Sequence, residues 1–469
     1  MAFTHRFDPT TLREYDIRGV VGRTLGEADA FAIGRCFGSV VARKGGRTVA
    51  VGYDGRLSSP ALEAALVAGL KASGMEVVRI GLGPTPMLYY AAKTLPTDAG
   101  VMVTGSHNPP DYNGFKMVLD NRPFFGPDIQ AIGRMAAAGE VVPEATGTDR
   151  RIDITGPYID RLAEDWDGGE RHLTVVWDPG NGAGAEIITR LVTKLPGEHI
   201  VLNAVVDGTF PAHHPDPTVP RNLAQLVAEV KHLKADVGVA FDGDADRLGV
   251  VDDEGEILYG DQILAILARD VLARQPGATI IADVKASQAL FDEIARAGGV
   301  PLMWKTGHSL VKAKMAETGA PLAGEMSGHI FYADKWYGFD DGIYAAVRLL
   351  GVVARMDSPL SEARKALPRF VNTPELRFDC PEARKFAVVE EVKARLAAAG
   401  ARFADVDGVR VSTEDGWWLL RASNTQAVLV ARAEARTPEG LERLKASLIA
   451  QLAASGVAAP DFSCGHAGH

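Results

Sequence analysis

The chain has 469 residues, 46% of them apolar and 23% charged, with 50 glycines and a formal net charge of -10. This is globular composition, which excludes a disordered or fibrous protein, and the length corresponds to about three domains at ~150 residues each. Fifty Lys and Arg against 60 Asp and Glu provide no basic footprint for nucleic acid, although a local arginine cluster on an acidic protein can still bind a phosphorylated small molecule.

At the N-terminus, MAFTHRFDPT lacks the apolar stretch of a signal peptide. No run of ~18 apolar residues follows, so no transmembrane helix is expected. The scattered Cys36, Cys380 and Cys464 give neither a metal spacing nor a disulfide framework, which suits a reducing cytoplasm. Between Arg47 and Gly81 an apolar strand (TVAVGYD), a small-residue turn (GRLSS), a helix (PALEAALVAGLKASG) and a second strand (EVVRIG) form a βαβ unit. The same plan recurs in LTVVWDPGNGAGAE with IITRLVTKL and HIVLN, and again in ATIIADVKAS with QALFDEIARAGG and VPLMWKTG. Each unit is followed by a strand and a polar loop: VMVTGSHNPPDYNGFKMVL, VGVAFDGDADRLGVVD and APLAGEMSGHIFYA.

The reading is therefore α/β: three related domains with mixed sheets, each presenting one unusual loop at a comparable place. After the connector KALPRFVNTPELRFD come a helix (EARKFAVVEEVKARLAAAG), short strands across DVDGVRVSTEDGWWLLRASNTQAVLVARAEA and a final helix, a C-terminal α+β domain. The expected boundaries are 1–150, 151–254, 255–367 and 368–469. The last residues, with Cys464, His466 and His469, are read as a frayed end rather than a metal site.

Four loops carry chemistry-bearing groups. Asp242, Asp244 and Asp246 alternate on a Gly-containing loop between apolar strands, oxygen ligands suited to one hard cation. An EF-hand is excluded because Asp253 stands where its twelfth-position Glu would be. In Thr104-Gly105-Ser106-His107-Asn108-Pro109-Pro110 the serine sits at a strand end; it is a nucleophile, a phosphate ligand or a turn residue, and spacing alone favours the turn. Gly324-Glu325-Met326-Ser327-Gly328-His329 offers groups for sugar hydroxyls, and Thr306-Gly307-His308-Ser309 adds an imidazole. Arg421-Ala422-Ser423-Asn424-Thr425-Gln426 combines a guanidinium, hydroxyls and an amide, the donors of a phosphate cradle. Asp178 to Gly184 is not a dinucleotide fingerprint, and Ser309 to Lys312 lacks the companions of an S-x-x-K enzyme.

In chain order, TGSHNPPDYNGFK, FDGDADRLG, GEMSGH and RASNT, supported by REYDIRG and TGHS, resemble the α-D-phosphohexomutase superfamily, and within it the bacterial phosphomannomutase/phosphoglucomutase branch. The related phosphoglucosamine mutases typically carry Gln where Met326 stands. The resemblance spans essentially the whole chain and implies four domains around a central cleft, carrying in turn the phosphoserine, metal, sugar-recognition and phosphate-binding loops. It implies Ser106 as the phosphoserine and one Mg²⁺ held by Asp242, Asp244, Asp246 and the Ser106 phosphoryl group, with Arg247 beside that phosphate. Lys116 and His308 are implied as candidates for proton transfer. Glu325 and Ser327 would bind sugar hydroxyls, and Arg421, Ser423, Asn424 and Thr425 the non-reacting phosphate. Tyr15, Arg18, Lys285 and His329 would stand around the cleft. The implied reaction exchanges hexose 1- and 6-phosphates through glucose 1,6-bisphosphate or its mannose counterpart, acting also as activator. The expected partner is a phosphohexose, with no nucleic acid, membrane or obligate protein partner. Phosphoglucosamine mutase, a metal-dependent sugar-phosphate phosphatase and a non-catalytic sugar-binding protein are the alternatives.

Overall fold

The computed structural model describes residues 3–169, 171–424 and 426–462. In the first domain a seven-stranded sheet runs in the order Ile17–Val20, Tyr112–Leu119, Ala99–Val103, Thr48–Tyr53, Glu76–Leu82 and Thr148–Arg151, with Arg122–Phe124 paired to Tyr112–Leu119. Thr48–Tyr53 lies parallel to both of its neighbours, whereas Tyr112–Leu119 runs antiparallel to Ala99–Val103. The central strands are buried because helices cover both faces, Glu27–Arg43 and Ser59–Ala72 on one and Thr85–Thr94 on the other.

The second and third domains repeat this plan with five strands each. Thr174–Asp178 lies between Glu198–Val201 and Val237–Phe241, which continues antiparallel into Leu248–Asp252 and Ile257–Leu258. Thr279–Asp283 lies between Val300–Trp304 and Leu322–Gly324, which continues antiparallel into Ile330–Tyr332 and Phe339–Asp340. In all three domains a parallel strand therefore ends in a loop that returns as an antiparallel strand. Residues 104–111, 242–247 and 325–329 occupy these equivalent returns, and the antiparallel bridge between Arg247 and His329 joins the second to the third.

One apolar core runs through the first three domains, from Met87 and Tyr90 past Trp177 and Phe241 to Leu264 and Tyr344. The fourth domain has its own core around Trp418, Leu420, Val392 and Leu448 beneath a six-stranded antiparallel sheet. Its last helix, Pro438–Ala454, opens with Pro438 at the first turn and with the Thr437 hydroxyl accepting from Gly440 N at 3.1 Å, which satisfies one of the free amides of a helix start. Two buried arginines join this domain to the third. Arg410 donates to the carbonyls of Val284 and Ala286 at 2.8 Å while lying 3.7 Å over the Trp417 ring, and Arg432 donates to the Lys285 carbonyl at 2.6 Å. Among the described residues no helix is long and apolar enough to cross a membrane. The expected tail residues Cys464, His466 and His469 lie outside the described residues.

Candidate active site

Ser106 follows the strand Ala99–Val103 and is held at φ +48°, a left-handed conformation that a residue with a β-carbon adopts only when its surroundings enforce it. The enforcing group is Arg56. Its guanidinium is fully buried, pairs with Asp54 at 3.2 Å and donates to the carbonyls of Ser106, Asn108, Pro109 and Tyr112. Gly105 is required beside it, since a β-carbon there would stand 2.3 Å from Arg56 Nε. Arg18 adds donors to Gly105 O and Asn108 Oδ1 while pairing with Asp16. So held, the Ser106 hydroxyl donates to Asp242 Oδ2 at 3.0 Å and lies 3.1 Å from His107 Nδ1. Burial, then Arg247 and Arg18, push His107 well below the usual imidazole range, so it faces the serine as a neutral ring.

Asp242, Asp244 and Asp246 are completely buried, with carboxylate oxygens within 4.8 Å of one another. Left-handed Ala245, at φ +56°, folds the loop between them. Lys116, on Tyr112–Leu119, sets its ammonium against Asp244 Oδ2 at 2.7 Å and against Asp246 Oδ2. Burial pulls Lys116 down, but the surrounding aspartates outweigh it and hold the ammonium well above its usual range. Thr85 donates to Asp244 from both its amide and its hydroxyl, which ties the first domain to this loop. Burial and the other two carboxylates push Asp242 well above the usual carboxylate range. Asp244 Oδ1 is buried and accepts no hydrogen bond, and Asp246 Oδ1 has only the His329 ring beside it, at 3.2 Å. An unsatisfied buried carboxylate oxygen is costly, and a converging all-oxygen set with Asp244 Oδ1 unpaired fits a small hard cation such as Mg²⁺.

The third-domain loop brings a second set of groups to the same place. His329 Nε2 lies 3.2 Å from Asp246 Oδ1 and its Nδ1 lies 3.0 Å from Glu325 Oε2. Burial lowers this histidine, but the two carboxylates outweigh it and raise it to about 9, so it is an imidazolium at neutral pH. Ser327 Oγ is 2.8 Å from His329 Nδ1. His308 stacks on His329 with ring centroids 5.7 Å apart, yet burial, then Lys312 and Lys116, push it well below its usual value. Two adjacent imidazoles thus carry different charges.

The three loops and the fourth domain face a cavity of about 720 Å³ lined from all four domains, with Tyr15 and His107, Arg247, Lys285, His308, Glu325, Ser327 and His329, and Glu375, Arg377 and Arg432 in its wall. Ser106 and the three aspartates are buried and are not in that lining, although their chain neighbours His107 and Arg247 are. Arg247 Nε is 3.8 Å from Asp242 Oδ2. Arg421 also stays out of the lining; it pairs with Asp407 at 3.0 Å. Lys285 pairs with Glu375 at 3.0 Å. Asn424 Nδ2 donates to the Tyr15 hydroxyl at 2.7 Å, and that hydroxyl donates to Thr306 O at 2.9 Å. A β-carbon on Gly307 would stand 2.6 Å from Tyr15. Ser423 is buried beside Arg421, and Thr425 lies outside the described residues.

No sequence pattern assigns a role to Asp54, Arg56, Thr85 or His107. The Asp54 carboxylate collects the Thr104 hydroxyl, Gly105 N and Arg56, but DGR in GYDGRLSS has the composition of an ordinary turn. His107 does carry a signal, since it adjoins Ser106 within the TGSHNPP loop.

Comparison with known proteins places each part of the chain. Family models described as phosphoglucomutase/phosphomannomutase match it throughout: alpha/beta/alpha domain I at residues 9–141, domain II at 156–255, domain III at 259–370 and the C-terminal domain at 375–451. The phosphomannomutase/phosphoglucomutase of Pseudomonas aeruginosa is 47% identical over 94% of this chain and 95% of its own. A probable phosphoglucosamine mutase of Thermococcus gammatolerans is 35% identical over 91% of this chain and 95% of its own. The crystal structure of a phosphoglucomutase/phosphomannomutase family protein from Burkholderia thailandensis superposes with a TM-score of 0.90 at 44% identity, covering 96% of this chain and 98% of that one.

Proposed function

The chain belongs to the phosphoglucomutase/phosphomannomutase family and is an intramolecular phosphotransferase acting on hexose phosphates; we propose that it interconverts the 1- and 6-phosphates of mannose and glucose through a phosphoserine at Ser106. The observation that carries this reading is the Ser106 hydroxyl 3.0 Å from Asp242 Oδ2, in loops whose neighbouring His107 and Arg247 line a cavity shared by all four domains.

In the reading, phosphoserine 106 meets a hexose phosphate whose free hydroxyl faces it. The Oγ–P bond breaks, a bond from phosphorus to the sugar oxygen forms, and the hydroxyl's proton ends on Oγ. The bisphosphate turns end over end, and Ser106 takes back the other phosphoryl group. Asp242, Asp244 and Asp246 would hold Mg²⁺ with the phosphoryl group, and the ion supplies neutralisation of charge on phosphoryl oxygens. Arg247 and Lys116 add fixed positive charge beside that group. Glu325 and Ser327 orient the sugar hydroxyls, with Lys285 and His329 at the cavity wall. Arg421, Ser423, Asn424 and Thr425 grip the phosphate that is not reacting. Tyr15 closes the cleft between domains, and Arg18 holds the serine loop. His308, neutral where His329 is charged, is the ring able to hold a movable proton near the substrate. Water is kept from the phosphoserine by its burial.

Substrates are compared by assaying mannose, glucose and glucosamine 1-phosphates in Mg²⁺ with a trace of glucose 1,6-bisphosphate. Rapid formation of mannose and glucose 6-phosphates is expected. A preference for the glucosamine sugar assigns phosphoglucosamine mutase instead, and net release of inorganic phosphate assigns a phosphatase.

A further inference from the structure

His308 and Lys312 stand one turn apart on the helix His308–Thr318, and Lys312 Nζ lies 3.2 Å from His308 Nδ1. An ammonium only donates, so Nδ1 is the acceptor of this contact. Lys312 cannot turn elsewhere. Its ammonium donates to Asp340 Oδ1 at 2.8 Å and lies 4.2 Å over the face of Tyr89, in an interior where Asp340 is completely buried.

A neutral imidazole whose lone pair is engaged at Nδ1 carries its hydrogen on Nε2. His308 lines the cavity, and no hydrogen bond engages its Nε2 among the described residues. We propose that Lys312 is a positioning residue that fixes His308 as the Nε2–H tautomer, so that His308 meets the hexose phosphate as a hydrogen-bond donor and not as a proton acceptor. This rests on the function proposed above and assigns a direction to His308, one of the two proton-transfer candidates that the resemblance implies. His329 makes the contrast, because both of its nitrogens face carboxylates and both carry hydrogen.

The other groups around His308 act in the same sense. Among the described residues Asp340 Oδ2, 3.6 Å from Nδ1 and without a hydrogen bond of its own, is the acceptor that would favour a hydrogen on Nδ1. Against it stand Lys312 on the same helix, Lys116 from the first domain and the imidazolium of His329 from the next loop; Asp246 lies farther off and Tyr15 offers a ring edge at 6.3 Å. A second proton on His308 would add charge among these cations.

The test uses the full chain labelled with ¹⁵N-histidine, with His308 assigned by the spectrum of His308→Gln. Long-range proton–nitrogen correlations of the substrate-free enzyme are expected to show, for His308, a protonated Nε2 and a lone-pair Nδ1 across the neutral pH range. In Lys312→Met the two tautomers mix and kcat falls about tenfold, the ratio that 1.4 kcal/mol represents, while KM stays within about twofold; Lys312→Arg keeps both the tautomer and kcat. An imidazolium or an Nδ1–H ring in the wild-type enzyme overturns the proposal, as does Lys312→Met with tautomer and kcat unchanged. Should Lys312→Met fail to fold, the wild-type spectrum still decides. The spectrum requires no turnover, so absence of mutase activity in the substrate comparison defeats the proposed function and leaves the tautomer readable.

Discussion

The hydroxyl of Tyr15, which lines the cavity, and the side-chain amide of Asn424, 409 residues apart in the chain, meet at 2.7 Å. The same hydroxyl donates to Thr306 O, so one oxygen joins the first, third and fourth domains. The fourth domain has a separate core, and such a domain can hinge on its interface. Removing the hydroxyl in Tyr15→Phe takes away two neutral hydrogen bonds of about 0.5–1.5 kcal/mol each and leaves the ring against Gly307. Steady-state kinetics are expected to show KM raised about five- to tenfold with kcat within about threefold. An unchanged KM would mean that the contact does not hold the cleft in its binding form.

Arg56 is predicted to matter as much as many groups nearer the substrate. It satisfies four carbonyls of the serine loop and the Asp54 carboxylate at once, which a planar fork can do and a single ammonium cannot. Arg56→Lys should cost about 3 kcal/mol in urea unfolding, the scale of a broken buried pair. It should also slow transfer of label from a sugar bisphosphate to Ser106 by at least about tenfold. A variant that labels at the wild-type rate would show that Ser106 keeps its place without this anchor.

Ser106→Ala provides the sharpest distinction between mutase and binding protein. It removes one buried hydroxyl and its bond to Asp242, a small loss of stability of about 1 kcal/mol. It should abolish both labelling and isomerisation while leaving hexose phosphate affinity, measured by calorimetry, within a few fold. Residual isomerisation above about 1% of wild type would place the transferring group elsewhere.

Much of this arrangement is legible in the sequence, and the illegible parts share a cause. The alternation of Asp242, Asp244 and Asp246 between apolar strands announces converging oxygens, and the three βαβ plans place the loops at equivalent strand ends. The helix Gly342–Arg355 escapes because all of its residues from Gly342 to Ala354 are buried, so it has no polar face to mark its period. Arg410 and Arg432 look like solvent-facing strand residues, yet they are buried against third-domain carbonyls. Ser106 is the instructive case: local spacing favours a turn, and only the resemblance singles it out. What makes the serine special is Arg56, 50 positions upstream, and Asp242, 136 downstream, and no local pattern encodes contacts at that range.

Metal dependence should appear in stability as well as in rate. Dialysis against a chelator is expected to stop turnover and Mg²⁺ to restore it. Because a ligand that binds only the folded state stabilises it by about 2.7 kcal/mol at a hundred times its Kd, saturating Mg²⁺ should raise the thermal midpoint by several degrees. Asp242→Asn combined with Asp246→Asn should lose that rise. The unliganded double variant is itself expected to be less stable than wild type, because Asp246→Asn takes a partner from the buried Lys116 and His329, so the measurement is the Mg²⁺-dependent rise within each protein. A Mg²⁺-dependent rise that survives in the double variant would move the metal away from these aspartates.

Away from the site, Asp341 predicts a pH dependence of stability with a definite sign. Its carboxyl is completely buried, accepts from Tyr158 Oη at 2.8 Å and caps the helix Gly342–Arg355 through Tyr344 N at 2.9 Å. Burial raises it from 3.8 to about 7, and these hydrogen bonds only partly offset that rise. The folded chain therefore binds this proton more tightly than the unfolded chain. The resulting stability is fully present below about pH 4 and is lost as pH climbs through about 7. Replacement by the isosteric, uncharged Asn removes the titration and keeps a group that can accept from Tyr344 N and donate to the Tyr158 hydroxyl. Urea unfolding should then show Asp341→Asn gaining on wild type between pH 5 and pH 8, on the order of a few kcal/mol at the upper end. A difference between the two proteins that stays constant over that range would mean that Asp341 is ionised inside the fold.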